Sequence, residues 1–239
     1  MVYGRIDLGE GVDVPGYKIR LNKGPAGFFE YQRLDANGNI VTSSYIYHMR
    51  DIRLIPARPM ILPEKGIASC IMVDFEKPIH IPPFSSINLE TRIITDLAIV
   101  AMSGGRYSLV DAFGPGVKPK LAFYGSGREG VVCRYSKGLL STKTMPGYAA
   151  TKASIINNTG EPLRVSTIVV PLARMRMYYK PGTWIARASD IVMVIKSGDE
   201  AIVNIEDPRL EPGMEASPLS YMGREIALLP TGFPMRWGF

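Results

Sequence analysis

Glycine and proline interrupt this sequence at short intervals along its whole length. The 239 residues include 24 glycines and 19 prolines, spread over the entire chain. Such spacing is typical of many short strands joined by turns. Amphipathic helix patterns are scarce, so we predict an all-β protein.

Two local patterns support strands. Residues 17–23 alternate large and polar side chains, which is the period-two pattern of a half-buried strand. Asn37 and Gly38 lie between the strand-like stretches 27–34 and 40–49, and both tolerate the positive φ that a tight turn needs. We therefore expect a β-hairpin around them.

The apolar content bounds the architecture. Hydrophobic residues make up 46% of the chain, which is enough to bury a core without staples. The expected fold is an antiparallel β-sandwich. Two closely packed modules, 1–117 and 118–239, and one continuous domain both fit this length.

The charge is unevenly distributed. Residues 1–117 hold 12 basic and 12 acidic residues, whereas 118–187 hold 12 basic and 2 acidic ones, a net charge of +10. Residues 190–225 hold 3 basic and 8 acidic ones, a net charge of −5. Either the basic and acidic regions face each other, within one fold or between subunits, or the basic region binds an anionic partner.

Compartment and cysteine chemistry are linked. The first residues contain no apolar segment typical of a secretory signal, and no apolar stretch approaches the ~18 residues of a membrane helix. We expect a cytoplasmic protein without a membrane span.

In the cytoplasm, Cys70 and Cys133 are expected to be buried free thiols. The alternative is one disulfide, which requires their strands to be neighbours and is unusual inside cells except in hyperthermophiles. Gln32, the single glutamine, is a weak indication of a thermophile.

A stretch in the middle of the chain carries a family resemblance. Residues 109–135, with Lys120, Tyr124 and the run from Gly130 to Tyr135, resemble an archaeal family of unknown function, domain-of-unknown-function family 432. The resemblance implies an archaeal, intracellular, β-rich protein. It implies no activity, and no catalytic or binding residue follows from it.

The same stretch contains the first candidate site. A turn at 125–130 between two predicted strands would bring a cationic cluster together, in which Arg134 could clamp an anion and Cys133 could be a nucleophile. The alternative is structural, with Cys133 in the core and Arg134 paired to a carboxylate. The cluster comprises Asp111, Lys120, Tyr124, Arg128, Cys133, Arg134 and Tyr135.

A second candidate site interleaves basic and aromatic residues, a pattern that can bind nucleic acid through phosphate contacts and base stacking. Arg174, Arg176 and Tyr178 share one face of a predicted strand, which is also what an ordinary half-buried strand shows. The full set comprises Arg164, Arg174, Arg176, Tyr178, Tyr179, Lys180, Trp184 and Arg187.

Signatures of metal and cofactor chemistry are weak. His48 and His80, the only histidines, have no ligand spacing, so structural roles are favoured and no metal or cofactor is predicted. Gly125, Gly127 and Gly130 have the glycine spacing of a phosphate loop. They lie between predicted strands, so a hairpin turn explains them better.

The end of the sequence is aromatic. Phe233, Trp237 and Phe239 are expected to pack on the protein's own core, or otherwise on a partner or a second subunit.

The leading functional hypothesis is a non-enzymatic binding or assembly protein, with a protein partner or a homo-oligomer. The alternatives are nucleic-acid binding through 118–187 and an enzyme around Cys133 and Arg134.

Overall fold

The computed structural model describes residues 2–9, 11–24, 27–47, 51–59, 69–116, 119–140, 144–221 and 233–239. Strands dominate these residues, and their one helix is a 3-10 helix, Pro218–Tyr221, which confirms the all-β prediction. The strands are, in order, β1 (Gly4–Arg5), β2 (Val12–Val14), β3 (Tyr17–Lys23), β4 (Phe29–Asp35), β5 (Ile40–Ile46), β6 (Asp51–Ala57), β7 (Cys70–Ile81), β8 (Ser85–Ile94), β9 (Asp96–Ser103), β10 (Arg106–Phe113), β11 (Leu121–Tyr124), β12 (Val131–Gly138), β13 (Tyr148–Asn157), β14 (Leu163–Pro171), β15 (Met177–Tyr179), β16 (Ala186–Ala188), β17 (Asp190–Ile195), β18 (Ala201–Glu206), β19 (Glu215–Ala216) and β20 (Phe233–Met235).

These strands form four sheets. The orders are β2-β3-β4-β5, called here the meander sheet, β1-β6-β9-β10, β11-β12-β7-β14, and β19-β15-β16-β13-β17-β18-β20 with β8 paired to β13. Most pairs are antiparallel, as predicted, but β7 with β12 and β13 with both β16 and β17 are parallel. Parallel pairing needs a long crossover connection, and these strands are separated by enough chain to supply it.

The predicted hairpin is present and joins β4 to β5. The Asp35 carboxylate accepts hydrogen bonds from the backbone N–H groups of Asn37 and Asn39, both at 2.9 Å. Gly38 takes a φ of 85°, which a residue without Cβ adopts at no steric cost. The ladder between β4 and β5 shifts register between Arg33 and Leu34, so Val41 forms a bulge at the start of β5.

The sheets share one core. Buried side chains from all four belong to a single hydrophobic cluster, with Ile19 of the meander sheet, Leu54 of β6, Val73 of β7 and Ile191 of β17 among its members. Strand β9 is buried along six successive residues, so both of its faces are covered, and it lies between β6 and β10 in its sheet. The sheets are therefore layers of one hydrophobic interior.

Strand pairing crosses the suggested boundary between 1–117 and 118–239. Strand β7 lies between β12 and β14, and β8 pairs with β13 along ten residues. Segments from both sides of the boundary are thus hydrogen-bonded in the same sheets. This arrangement favours the continuous domain that the sequence left open as the alternative.

The expectation of free thiols is wrong. Cys70 and Cys133 form a disulfide, their Cα atoms are 4.5 Å apart, and both residues are fully buried. They are register partners in the parallel pair of β7 and β12. The alternative, a disulfide, required the two cysteine-bearing strands to be neighbours, and β7 and β12 do lie side by side.

The disulfide is expected to stabilise the fold measurably. It closes a long loop, with a sequence separation of 63, so its removal should lower the free energy of unfolding by about 2–4 kcal/mol. The comparison is denaturant unfolding of the oxidised protein and of a Cys70→Ala/Cys133→Ala variant, each with and without reductant. Equal stability of the two proteins would contradict this role, and the variant should not respond to reductant.

Candidate protein-binding surface

The first predicted cluster is divided between different environments. The hairpin of β11 and β12 forms as expected, with Arg128 exposed in its turn and Lys120 exposed just before β11. The anion clamp would need Arg134 on an open face, but Arg134 is only 1% exposed and pairs with the Asp96 carboxylate at 3.4 Å, as in the structural alternative. Its face of β12 is covered, because Ser136 on the same face accepts a hydrogen bond from the backbone N–H of Ile94. Arg134 therefore cannot clamp an anion from solvent in this conformation.

Tyr124 anchors the end of the chain. Its hydroxyl donates to the carbonyl of Gly238 at 2.9 Å and accepts from the N–H of Trp237 at 3.2 Å. Burial raises the pKa of Tyr124. Phe233 and Phe239 pack against the core, as predicted for this segment, whereas Trp237 stays 40% exposed.

The second predicted cluster is largely paired internally. Arg176 makes two hydrogen bonds to the Asp207 carboxylate, at 2.9 and 3.1 Å, and Arg187 pairs with Asp190 at 2.8 Å. Both carboxylates belong to the acidic region 190–225. These contacts support the interpretation that the basic and acidic regions face each other.

Two further residues of this cluster differ in exposure. Tyr178 is only 6% exposed, so its ring is not available for base stacking. Its hydroxyl donates to Asp207 at 3.5 Å. Arg174 is exposed in the loop before β15.

One of the two histidines lies within the part of the chain that the structure describes. His80 is exposed on β7 and lies opposite Arg164 of β14, whereas His48 is outside the described residues. Among the residues that the structure describes, no group of three His, Cys, Asp or Glu side chains could hold a metal ion. No helix among them is long and apolar enough to span a membrane.

A buried polar cluster fixes the meander sheet to its neighbour. Asp111 of β10 accepts hydrogen bonds at its Oδ2 from the hydroxyl of Tyr31 and from Nε of Arg33, both at 2.7 Å. Arg33 also donates from Nη2 to Thr42 of β5 at 3.1 Å. The sequence placed Asp111 with Lys120 and Arg128, but the structure places it with β4.

Aromatic rings complete the surroundings of this ion pair. The guanidinium of Arg33 lies 4.7 Å from the ring centre of Tyr17 and 4.6 Å from that of Phe113. Burial alone would lower the pKa of Arg33, but the hydrogen bond and charge of Asp111 raise it. Burial, followed by the charge of Asp111, raises the pKa of Tyr31 well above its ordinary value. Arg33 is thus held charged within a largely apolar junction between two sheets.

Strand β5 is the open edge of the meander sheet. Among the described strands it pairs with β4 alone, so one row of its backbone N–H and C=O groups faces away from the sheet. Its seven residues, Ile40 to Ile46, include no charged residue and no proline. Unprotected edges of this kind pair readily with another chain.

The other edges among the described strands have the usual protection. Strands β1, β2, β11, β19 and β20 have at most four residues, β8 carries Glu90 and Arg92, and β10 and β14 have register shifts. The bulge of β5 lies near its start, and the ladder from Thr42 to Ile46 is regular. Strand β5 is therefore the most open edge of the described part of the molecule.

Large apolar side chains surround this edge. Ile40, Val41, Tyr45 and Tyr47 are each at least half exposed. The ring of Phe28 lies 5.0 Å from that of Tyr45 and 5.3 Å from that of Tyr47. Exposed aromatic and aliphatic groups along a strand edge are typical of protein-binding surfaces. We call Phe28, Ile40, Val41, Tyr45 and Tyr47 the edge patch.

The sequence contained a signal for this surface that hairpin prediction alone did not use. Residues 40–47 are strand-like yet have no charged residue on either alternating face. A half-buried strand is usually polar on its solvent face. Apolar residues on both faces of a strand next to a predicted tight turn indicate either a central strand or an edge that binds a partner.

The fold and this surface define an all-β protein with an uncharged open sheet edge. The family described as "Protein of unknown function (DUF432)" matches residues 2–236 of the 239. The chain belongs to this family, which confirms the resemblance found in the sequence. No curated protein and no solved structure matches the chain.

Removal of the buried carboxylate should be costly. Asp111→Ala leaves Arg33 as an unpaired charge between two sheets, so we expect a loss of about 3–5 kcal/mol in the free energy of unfolding. Urea unfolding measures the change. The control is Glu76→Ala, which removes an exposed ion pair with Lys137 and should leave stability almost unchanged. Similar losses in both variants would contradict the anchoring role of Asp111.

Alkaline pH should weaken the same junction. Tyrosine in the unfolded chain ionises near pH 10, whereas Tyr31 stays protonated to higher pH because its folded pKa is raised. The folded state then holds the extra proton, so stability falls as pH rises above about 10. Tyr31→Phe should make this fall shallower in urea unfolding between pH 8 and 11. Exposed Tyr45→Phe is the control, and an unchanged slope for Tyr31→Phe would count against a protonated Tyr31.

Proposed function

We propose that this protein is a non-enzymatic binding and assembly protein that docks a strand of a partner chain on the open edge of β5. One observation carries the proposal, namely an uncharged seven-residue edge bordered by the edge patch. Strand addition satisfies the outward N–H and C=O groups of the edge, while the apolar side chains beside it supply contact area.

The contacts of the two other candidate sites make their functions less favoured. Nucleic-acid binding through 118–187 would rely on cations, yet Arg176 and Arg187 are paired with carboxylates. An enzyme around Cys133 and Arg134 would need a thiolate, yet the sulfur of Cys133 is bonded to Cys70. A disulfide sulfur is not a thiolate nucleophile.

The proposed setting is the cytoplasm of a thermophilic archaeon. The buried Cys70–Cys133 disulfide suits that combination, because intracellular disulfides are common chiefly in hyperthermophiles. The cytoplasmic location and the thermophilic source depend on each other in this proposal. A cytoplasmic protein of a mesophile would not be expected to keep the bond.

Charged side chains on β5 can block strand addition at this edge without disturbing the core. Val41→Lys/Ser43→Lys places two cations on exposed positions of β5, where they should oppose strand addition and change stability little. The matched control, Leu121→Lys/Phe123→Lys, places two lysines on exposed positions of β11. Unfolding midpoints should show that both variants fold.

The measurement is the native mass of the protein in extracts of cells that produce it, by size exclusion with immunodetection. Wild type and the β11 control should elute above the 26.3 kDa monomer, whereas the β5 variant should elute as the monomer. A monomeric wild type, or a β5 variant in complexes of unchanged size, would overturn the proposal.

A further inference from the structure

We infer that the partner docked on β5 is a second copy of this chain, paired antiparallel about a two-fold axis through Ser43; this rests on the proposed function. The order of apolar and hydroxyl side chains along β5 is nearly the same in both directions from Ser43. The two-fold gives the pairs Ile40 with Ile46, Val41 with Tyr45, Thr42 with Ser44, and Ser43 with its own copy.

These pairs are chemically matched. Apolar residues meet apolar residues at the ends of the strand, and hydroxyl groups meet hydroxyl groups in the middle. Cross-strand pairs of these kinds stabilise paired strands relative to alanine pairs. The side-chain order of β5 is therefore complementary to itself.

Absence of charge matters more in a two-fold interface than elsewhere. An isologous interface uses the same patch twice, so a charge near the axis meets its own copy. Like charges directly opposite each other destabilise a strand pair. Strand β5 has no charged residue, so its two copies meet without such repulsion.

The position of the axis agrees with the backbone. Ser43 lies within the regular part of β5, Thr42 to Ile46, and beyond the bulge at Val41. An axis one residue later, through Ser44, would set Ser43 against Tyr45 and Thr42 against Ile46. Those pairs oppose hydroxyl to large apolar groups, so the axis through Ser43 is the better match.

The resulting assembly would extend the meander sheet. Two four-stranded sheets would join at β5 into one continuous sheet of eight strands. Tyr45 of each copy would cover Val41 of the other, and both side chains are now at least half exposed. The outward N–H and C=O groups of both edges would be satisfied in the same step.

Cysteine cross-linking tests the partner and the register together. Ser43→Cys places two thiols directly opposite each other, where the Cα separation of about 4.5–5.5 Å in an antiparallel pair permits a disulfide. We expect mild oxidation of the purified variant to give a covalent dimer. The native cysteines do not interfere, because they are buried and bonded to each other.

Matched variants identify the register. Ile40→Cys should remain monomeric, because its two copies would be about 20 Å apart along the strands. A mixture of Val41→Cys and Tyr45→Cys proteins should give a heterodimer, whereas each alone should cross-link poorly. A dimer from Ile40→Cys equal to that from Ser43→Cys would overturn the register.

The outcomes separate this inference from the proposed function. Complexes above monomer mass in extracts, together with a monomeric purified protein and no Ser43→Cys dimer, would leave strand docking intact and overturn the second copy as partner. A wild type that is monomeric both in extracts and when purified would overturn both. A Ser43→Cys dimer with the expected controls, lost when Val41→Lys is added to the Ser43→Cys protein, would support both.

Discussion

The buried carboxylate of Asp111 fixes the position of the open edge of β5 on the molecule. It binds Tyr31 and Arg33 of β4, and Arg33 in turn binds Thr42 of β5, so one chain of contacts runs from β10 to the edge. Burying charges is costly, and such a pair gives orientation more readily than net stability. The hydrophobic junction alone would tolerate sliding, whereas hydrogen bonds to a single oxygen define one position. The edge of β5 is thereby held at a fixed place on the molecule.

The rest of the chain supports this arrangement from a distance. Strands β7 and β8 pair with strands that follow residue 118, and the Cys70–Cys133 disulfide links two of these partners covalently. Their sheets share one core with β9, which pairs with β10 and so supports Asp111. The meander sheet, by contrast, uses only residues before 47. A shared core carrying a sheet of local hairpins suits a protein that binds through the outermost hairpin.

Local features were predictable from the sequence, and long-range ones were not. The hairpin at Asn37 and Gly38 depends on turn chemistry within a few residues, so its pattern is visible directly. The pairing of Cys70 with Cys133 depends on β7 and β12 being neighbours across 63 positions, which no periodicity encodes. Arg134 is a second example of this limit. Alternation predicts on which face of β12 it lies, but it does not predict that β8 and β9 cover that face. The edge patch was visible as apolar residues on both faces, but only the sheet order shows that β5 is an edge.

An open, uncharged edge is a liability that a folded protein normally avoids. Each of the other edges among the described strands is short, charged or bulged, whereas β5 has seven residues, no charge and a bulge only near its start. A single lysine at Ser43 would close the edge at almost no cost to the core, because that position is exposed. The dimer proposed around Ser43 would remove this hazard in another way. Pairing with a second copy would use each β5 edge once, leave neither copy of β5 open to a further chain, and so end assembly through this strand at two.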